Sequence, residues 1–279
     1  MLPTPSTTHV SFDTIYEPSE DSYLFLDTLS AATESAWLTT HFHPSTNPSS
    51  PLILEVGTGS GVVLAFVTAN STHILGRTDV LAIGTDVNRN ACLATRETVR
   101  KAIDDQQQQQ QPTSTTTTTP PPTPKSIITS TLLTDLVSPI RPKSIDILLF
   151  NPPYVPTPEL PILPTSTSVS DHDTAGLSRS EKFTQESYLL SLTYAGGKDG
   201  METTERLLED IPRVLALRGV AYVLLCAQNR PREVVERVKG WEWREEGEGR
   251  WCAEVVGSSG VQAGWEKLVI VRIWRELIV

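Results

Sequence analysis

Cysteine is scarce in this chain, and the three present, Cys92, Cys226 and Cys252, are far apart with no C-x-x-C pair. That pattern excludes a disulfide framework and a zinc ribbon, and it suits a reducing compartment. Basic residues are also few: 23 Lys and Arg stand against 33 Asp and Glu, for a formal net charge of −10. Tight binding to a phosphate backbone depends on clustered Lys and Arg, so a protein is the expected partner and nucleic acid is not. No apolar run approaches the roughly 20 residues that cross a bilayer. Met1 to Thr8 lacks a charged region followed by an apolar one. The expectation is a soluble protein of the cytoplasm, with the nucleus as a second compartment and no membrane contact.

What is present is an alternation of strand-like and helix-like segments. Ser19 to Leu29 has a Ser cap, acids in the first turn and an apolar stripe containing Phe25, Leu26 and Leu29, which predicts a helix. A polar loop over Thr39 to Pro51 precedes a strand at Leu52–Val56, a glycine turn, a helix from about Ser60 to Ala69 and a strand at Val80–Thr85, one βαβ unit. A helix over Asn88 to Ile103 then runs into Gln106–Pro124. This Gln, Thr and Pro tract has too little apolar surface to offset its ordering entropy, and a disordered insertion over about 104–125 is expected.

Ile127–Leu133 and Ile145–Phe150 are apolar and β-branched enough for strands buried on two faces of a parallel sheet. A mobile loop is expected over 157–185, rich in Pro, Ser, Thr and Asp. Helices are expected at Glu186–Leu192, Glu202–Leu217 and Arg232–Lys239, and strands at Val220–Cys226 and Lys267–Trp274. The whole predicts a single α/β domain with a doubly wound, mostly parallel sheet and a binding site at the carboxyl ends of its central strands.

Three of those strand ends carry groups suited to a nucleotide-like ligand. Glu55-Val56-Gly57-Thr58-Gly59-Ser60-Gly61 follows the first strand and opens a helix. Taken alone it fits a dinucleotide site, a methyl-donor site or a structural turn, although the G-x-G-x-G spacing and the preceding acid favour S-adenosylmethionine. Asp86 ends the second strand, where a carboxylate can accept from both ribose hydroxyls; it could equally cap the helix beginning near Asn88. Asp135 follows the third strand, placed to accept from an adenine amino group while Leu136 packs on the ring.

The fourth strand ends in Asn151-Pro152-Pro153-Tyr154. An amide or aromatic amino nitrogen is a poor nucleophile because its lone pair is delocalised. Asn151 offers a side-chain carbonyl and Pro152 a backbone carbonyl, two acceptors able to grip one NH2 group, and Tyr154 can stack on a flat substrate. His41 and His43 have no nearby ligand partner and are expected to be solvated, with no metal site. The tryptophans Trp241, Trp243, Trp251, Trp265 and Trp274 are expected to pack in the core and sheet, not to form a stacking platform for single strands.

Tyr16-Glu17-Pro18-Ser19-Glu20-Asp21-Ser22, EVGTGSGVV, TDL, NPPYVPTP and Ala195-Gly196-Gly197-Lys198-Asp199-Gly200 occur in this order across most of the chain. Together they resemble the eukaryotic HemK-like release-factor glutamine methyltransferases. The resemblance implies a seven-stranded class I methyltransferase sheet, Rossmann-like, with an antiparallel final strand. It implies S-adenosylmethionine as cofactor, held by Ser22, Glu55, Gly57, Gly59, Asp86, Asp135, Leu136 and Asn151, with an N-terminal flap over about 10–30. Asn151, Pro152 and Tyr154 would hold the glutamine of the Gly-Gly-Gln motif in the class I translation termination factor. It further implies a small zinc-binding activator subunit on the edge strand 127–133. The departures are the Gln106–Pro124 tract, the Thr157–Gln185 loop and Tyr194, where relatives usually carry a larger aromatic. An adenine amino methyltransferase acting on DNA or RNA, and a non-catalytic α/β binding subunit, are the alternatives that this motif set leaves open.

Overall fold

The computed structural model describes residues 2–109, 125–164, 178–244, 248–260 and 267–278. Eight α-helices and seven strands occur among them: α1 (Glu20–Ser30), α2 (Ala32–His41), β1 (Leu52–Val56), α3 (Val62–Ala69), α4 (Ser71–Leu75), β2 (Leu81–Asp86), α5 (Arg89–Gln109), β3 (Ile127–Leu133), β4 (Ile145–Phe150), α6 (Arg179–Tyr194), α7 (Glu202–Val214), β5 (Leu215–Cys226), α8 (Pro231–Lys239), β6 (Glu248–Ser258) and β7 (Leu268–Ile278). The strands form one sheet in the order β3-β2-β1-β4-β5-β7-β6. β7 runs antiparallel to both its neighbours, and the other pairings are parallel. This is the expected doubly wound, mostly parallel seven-stranded sheet. The order reverses at β1 and β4, so a crevice opens beyond the carboxyl ends of those two strands.

Side-chain alternation explains why the central strands read as unbroken apolar runs. Ile147 and Leu149 of β4 join Tyr222 and Leu224 of β5 in the core beneath α1, α3 and α5. Leu148 and Phe150 join Ala221, Val223 and Leu225 in a second core beneath α7 and α8. With both faces covered, every position is apolar and the period of two disappears from the sequence.

Several boundaries differ from the sequence reading, each for a local reason. α5 continues to Gln109, because Gln is a good helix former and Gln106 donates to Asn70 Oδ1 at 3.0 Å; residues 110–124 of the expected insertion lie outside the described residues. α6 begins at Arg179, inside the expected loop, where Ser178 and Glu181 form a reciprocal capping box. Residues 165–177 of that loop also lie outside the described residues. α7 stops at Val214, and Leu215–Leu217, expected as its last turn, open β5. β6 was not anticipated, its charged and aromatic residues hiding the strand. The polar loop starts later than Thr39, since α2 runs to His41. That histidine is not solvated: it stacks on Trp37 at 4.4 Å between ring centroids and bonds through Nε2 to the Arg218 carbonyl at 2.7 Å, and burial lowers its pKa. Trp251 is buried against Trp241, and Trp274 packs edge-on against Trp37, as expected of packing tryptophans. Trp265 lies outside the described residues. No helix among the described residues is long and apolar enough to cross a membrane.

Candidate active site

The turn after β1 takes its shape from three glycines in the left-handed region, Gly57 (φ 65°), Gly59 (φ 52°) and Gly61 (φ 76°). At Gly61 a second constraint acts, because a Cβ there would lie 2.6 Å from Cα of Thr95 on α5. α3 therefore starts without a capping side chain of its own, and Glu55 from β1 supplies the acceptor, taking the Leu64 N–H on Oε2 at 3.0 Å. Glu55 is buried, and desolvation pushes its carboxyl well above the usual range, aided by the charge of Asp86 and opposed by the Leu64 bond.

Asp86 braces the same turn. Its Oδ2 accepts from Gly59 N–H at 3.0 Å and its Oδ1 from Asn88 N–H at 2.8 Å, so the helix-capping reading of this residue also holds. Each oxygen keeps a further lone pair for a ligand. Burial raises the Asp86 pKa, against the pull of those N–H groups. The β3 end is fastened to it, with Thr134 N–H donating to the Asp86 carbonyl at 2.9 Å. Beyond Thr134, Asp135 pairs with Arg206 of α7, and Leu136 sits in the left-handed region at φ 47°, an uncommon conformation for leucine that accompanies functional turns.

β4 delivers Asn151. Its Oδ1 is buried and has no hydrogen-bond partner among the described residues. A buried acceptor without a donor costs about 1–3 kcal/mol, so a group retained in this state points to a ligand that supplies the missing N–H or O–H.

The strand-end turn is held from behind by a segment that had entered the sequence reading only through the resemblance. Val155 N–H donates to the Tyr194 carbonyl at 2.9 Å, Gly196 N–H to the Val155 carbonyl at 2.8 Å, and Thr157 N–H to the Gly197 carbonyl at 3.0 Å. A Cβ on Gly196 would lie 2.5 Å from the Pro153 carbonyl oxygen. Ala195–Gly200 thus forms a glycine-permitted brace pressed on the backbone of the Asn-Pro-Pro-Tyr turn. Asn229 secures the brace in turn, donating to the Asp199 carbonyl at 3.0 Å while accepting from Cys226 N–H at 2.8 Å.

All ten residues proposed from sequence, Ser22, Glu55, Gly57, Gly59, Asp86, Asp135, Leu136, Asn151, Pro152 and Tyr154, line one cavity of about 240 Å³. Asp21, Thr58, Thr85 and Arg206, which sequence reasoning passed over, line it too. Of the expected N-terminal flap, α1 is built into the core through Phe25 and Leu29, and the cover is the stretch before it, with Ile15 and Tyr16 on the cavity wall. That stretch is tied down by Asn88 Nδ2, which donates to the Thr14 carbonyl at 2.7 Å. The mouth on the Tyr154 side is apolar, formed by Leu160, Pro161 and Leu163 with Leu189 and Leu192 of α6. Among the described residues, four carboxylates, of Asp21, Glu55, Asp86 and Asp135, line the cavity with a single cation, Arg206. Such a chamber suits a ligand that is cationic at one end and hydroxyl-bearing in the middle.

No family model matches the chain. Methyltransferase HEMK2 of Homo sapiens is 29% identical over 243 residues, spanning 85% of this chain and 84% of its own length. The eRF1 methyltransferase catalytic subunit mtq2 of Schizosaccharomyces pombe is 26% identical over 282 residues, 99% of this chain and 96% of its own. These relatives, matched over most of their length, carry methyltransferase names, in agreement with the motifs read from the sequence: the chain is similar to the HemK-like methyltransferases.

Proposed function

We propose that this chain transfers a methyl group from S-adenosylmethionine to the side-chain amide nitrogen of the glutamine in the Gly-Gly-Gln motif of the eukaryotic class I translation termination factor. The observation that carries the reading is the buried Asn151 Oδ1, which has no donor among the described residues. An entering carboxamide supplies the N–H this oxygen lacks. With the Pro152 carbonyl as second acceptor, both amide hydrogens are drawn away from the nitrogen lone pair, which is left aimed along the axis of attack. Tyr154 fixes the plane of the amide, and the apolar mouth excludes water that would compete for its hydrogens.

When bound, the donor would supply a methyl carried on a sulfonium, so that its departure leaves a neutral thioether while the amide nitrogen that gains the methyl gives up one of its two hydrogens as a proton. The chain's own residues fit it: Asp86 keeps lone pairs for ribose hydroxyls, Asp135 faces the adenine end with Leu136 beside it, and Ser22, Glu55, Gly57 and Gly59 line the methionine end. Glu55 and Asp86 both have raised pKa values, which a cationic ligand would lower.

The reading includes a partner and a compartment. Among the described residues β3 pairs with β2 alone, and on it Ile127 and Leu133 are about half exposed without charges to discourage pairing. A small zinc-binding activator subunit that adds a strand to this edge would cover them, making the chain one half of a heterodimer in the cytoplasm. Support for the substrate comes from the relative of S. pombe, whose name gives eRF1 as the protein it methylates.

The test is label transfer from S-adenosylmethionine by the chain co-expressed with the activator. Wild-type termination factor, its Gln→Ala variant in the Gly-Gly-Gln motif, and DNA and RNA oligonucleotides are offered in parallel. Label is expected on the wild-type factor alone, mapped to the motif glutamine by mass spectrometry; label on an oligonucleotide, or on the Ala variant, would overturn the reading.

A further inference from the structure

We propose that Arg206 is a positioning residue for the methyl donor: its guanidinium holds the Asp135 carboxylate in the orientation that accepts from the adenine amino group. The inference rests on the proposed function, specifically on Asp135 standing at the adenine end of the donor.

A cation in a chamber built for a cationic ligand needs a reason. Arg206 is the one Lys, Arg or His among the described residues lining the cavity, and it is paired with Asp135. The pairing divides the chamber electrically. At the adenine end, where the ligand is neutral, Arg206 cancels the charge of Asp135. Asp21, Glu55 and Asp86 remain uncancelled by any cation on the cavity wall, toward the part of the chamber that would take the ribose and the sulfonium. An unpaired Asp135 would swing on its left-handed turn toward water, whereas a carboxylate gripped by a guanidinium keeps one oxygen directed into the cavity.

A stability role does not explain the pair. The side chains are 45% and 31% exposed, and a pair at that exposure contributes about 0–1 kcal/mol. α7 is already anchored without it, by Leu207, Leu208 and Ile211 in the core. Thr203, one turn before Arg206, lines the same cavity, so this face of α7 is turned to the ligand.

The experiment measures binding by calorimetry, with S-adenosylhomocysteine and S-inosylhomocysteine as probes; in the second a carbonyl replaces the 6-amino group. The proteins are wild type, Arg206→Ala and Arg206→Lys. Arg206→Ala is expected to weaken S-adenosylhomocysteine roughly tenfold, the scale of one charge-assisted hydrogen bond, with partial recovery in Arg206→Lys. Binding of S-inosylhomocysteine, which has no amino group to offer Asp135, should change less than about twofold. An equal loss for both probes, or no loss for either, overturns the assignment of Arg206. A wild-type protein that binds neither probe overturns the donor reading itself, and one that binds both equally removes Asp135 from the adenine end, so the two failures are told apart.

Discussion

Gly200 lies so close to the Tyr154 carbonyl that a Cβ built on it would stand 2.0 Å from that oxygen, and at φ 68° its backbone already favours glycine. The relationship ties the placement of the Asn-Pro-Pro-Tyr turn to a segment some forty-five residues later. Gly200→Ala is expected to push the turn out of line, lowering kcat at least tenfold and stability by about 1–3 kcal/mol, while donor affinity measured by calorimetry stays within about twofold. An Ala variant with full turnover would show that the brace does not set the position of the turn.

Asn151→Ala removes the buried acceptor that the substrate amide is to satisfy. Loss of one preorganised group at a reacting centre costs about 3 kcal/mol of transition-state stabilisation, so kcat should fall by about two orders of magnitude. Donor binding should be largely retained, because Asp86, Asp135 and the glycine turn are untouched. Near-normal methylation of the termination factor by purified Asn151→Ala would remove the turn from the mechanism.

Glu55 gives a prediction in pH. Its carboxyl is buried and its pKa lies well above the ordinary 4.5, so folding favours the protonated form. The stability this group contributes is therefore full below the ordinary Glu range and is lost as pH rises toward the folded value. Glu55→Gln keeps an acceptor for Leu64 N–H without the charge. The ligand-free variant should melt above wild type at neutral pH, and the difference should vanish as pH drops to about 4. A constant difference across that range would mean that the carboxyl is not desolvated in solution.

The long helix α5 limits where the Gln/Thr/Pro tract can be cut. Gln106 bonds to Asn70, and Lys125 Nζ donates to Gln107 Oε1 at 3.0 Å, so the chain returns beside the helix before entering β3. Replacing residues 110–124 with a short Gly/Ser linker should preserve melting temperature and turnover, since loop length costs little beyond closure. A cut that begins at Gln106 should lower the melting temperature, because it removes the last turn of α5.

Much of this site was legible in the sequence because the chemistry sits at strand ends, and strand ends announce themselves. Glu55, Asp86, Asp135 and Asn151 each follow an apolar run by a residue or two, and the fold order brings such ends together. The rest was hidden for physical reasons. Arg206 reaches the cavity from a helix whose pattern shows only that Leu207 and Ile211 face the core. Gly200 matters through contact with a backbone far away in the chain, which no local pattern encodes. β6 carries Arg250, Cys252 and Glu254 on its outward face, so its composition looks like a loop. Arg272 and Arg275, by contrast, interrupt the apolar run of β7 and are nevertheless buried.

Arg272 explains why such an interruption is tolerated. Its Nη1 donates to both carboxylate oxygens of Glu34 at 2.9 Å, its Nη2 to Glu254 at 3.0 Å, and its guanidinium lies over the rings of Trp37 and Trp274. Tyr222 of β5 donates to Glu34 Oε1, one of the two oxygens that Arg272 engages, so α2, β5, β6 and β7 meet at one charge cluster whose members do not line the cavity. Removing Glu34 leaves the buried Arg272 guanidinium with the largely exposed Glu254 as its remaining carboxylate partner, at a cost of about 3 kcal/mol, the low end for breaking a buried pair. Glu34→Ala should therefore lower stability in urea by that amount, with the surviving folded fraction keeping its donor affinity. Arg272→Met added to Glu34→Ala removes the stranded charge and should recover part of the loss, because an apolar side chain of similar length can pack between Trp37 and Trp274. Equal or greater destabilisation in the double variant would mean that the arginine is held by its ring contacts and Glu254 and not by Glu34.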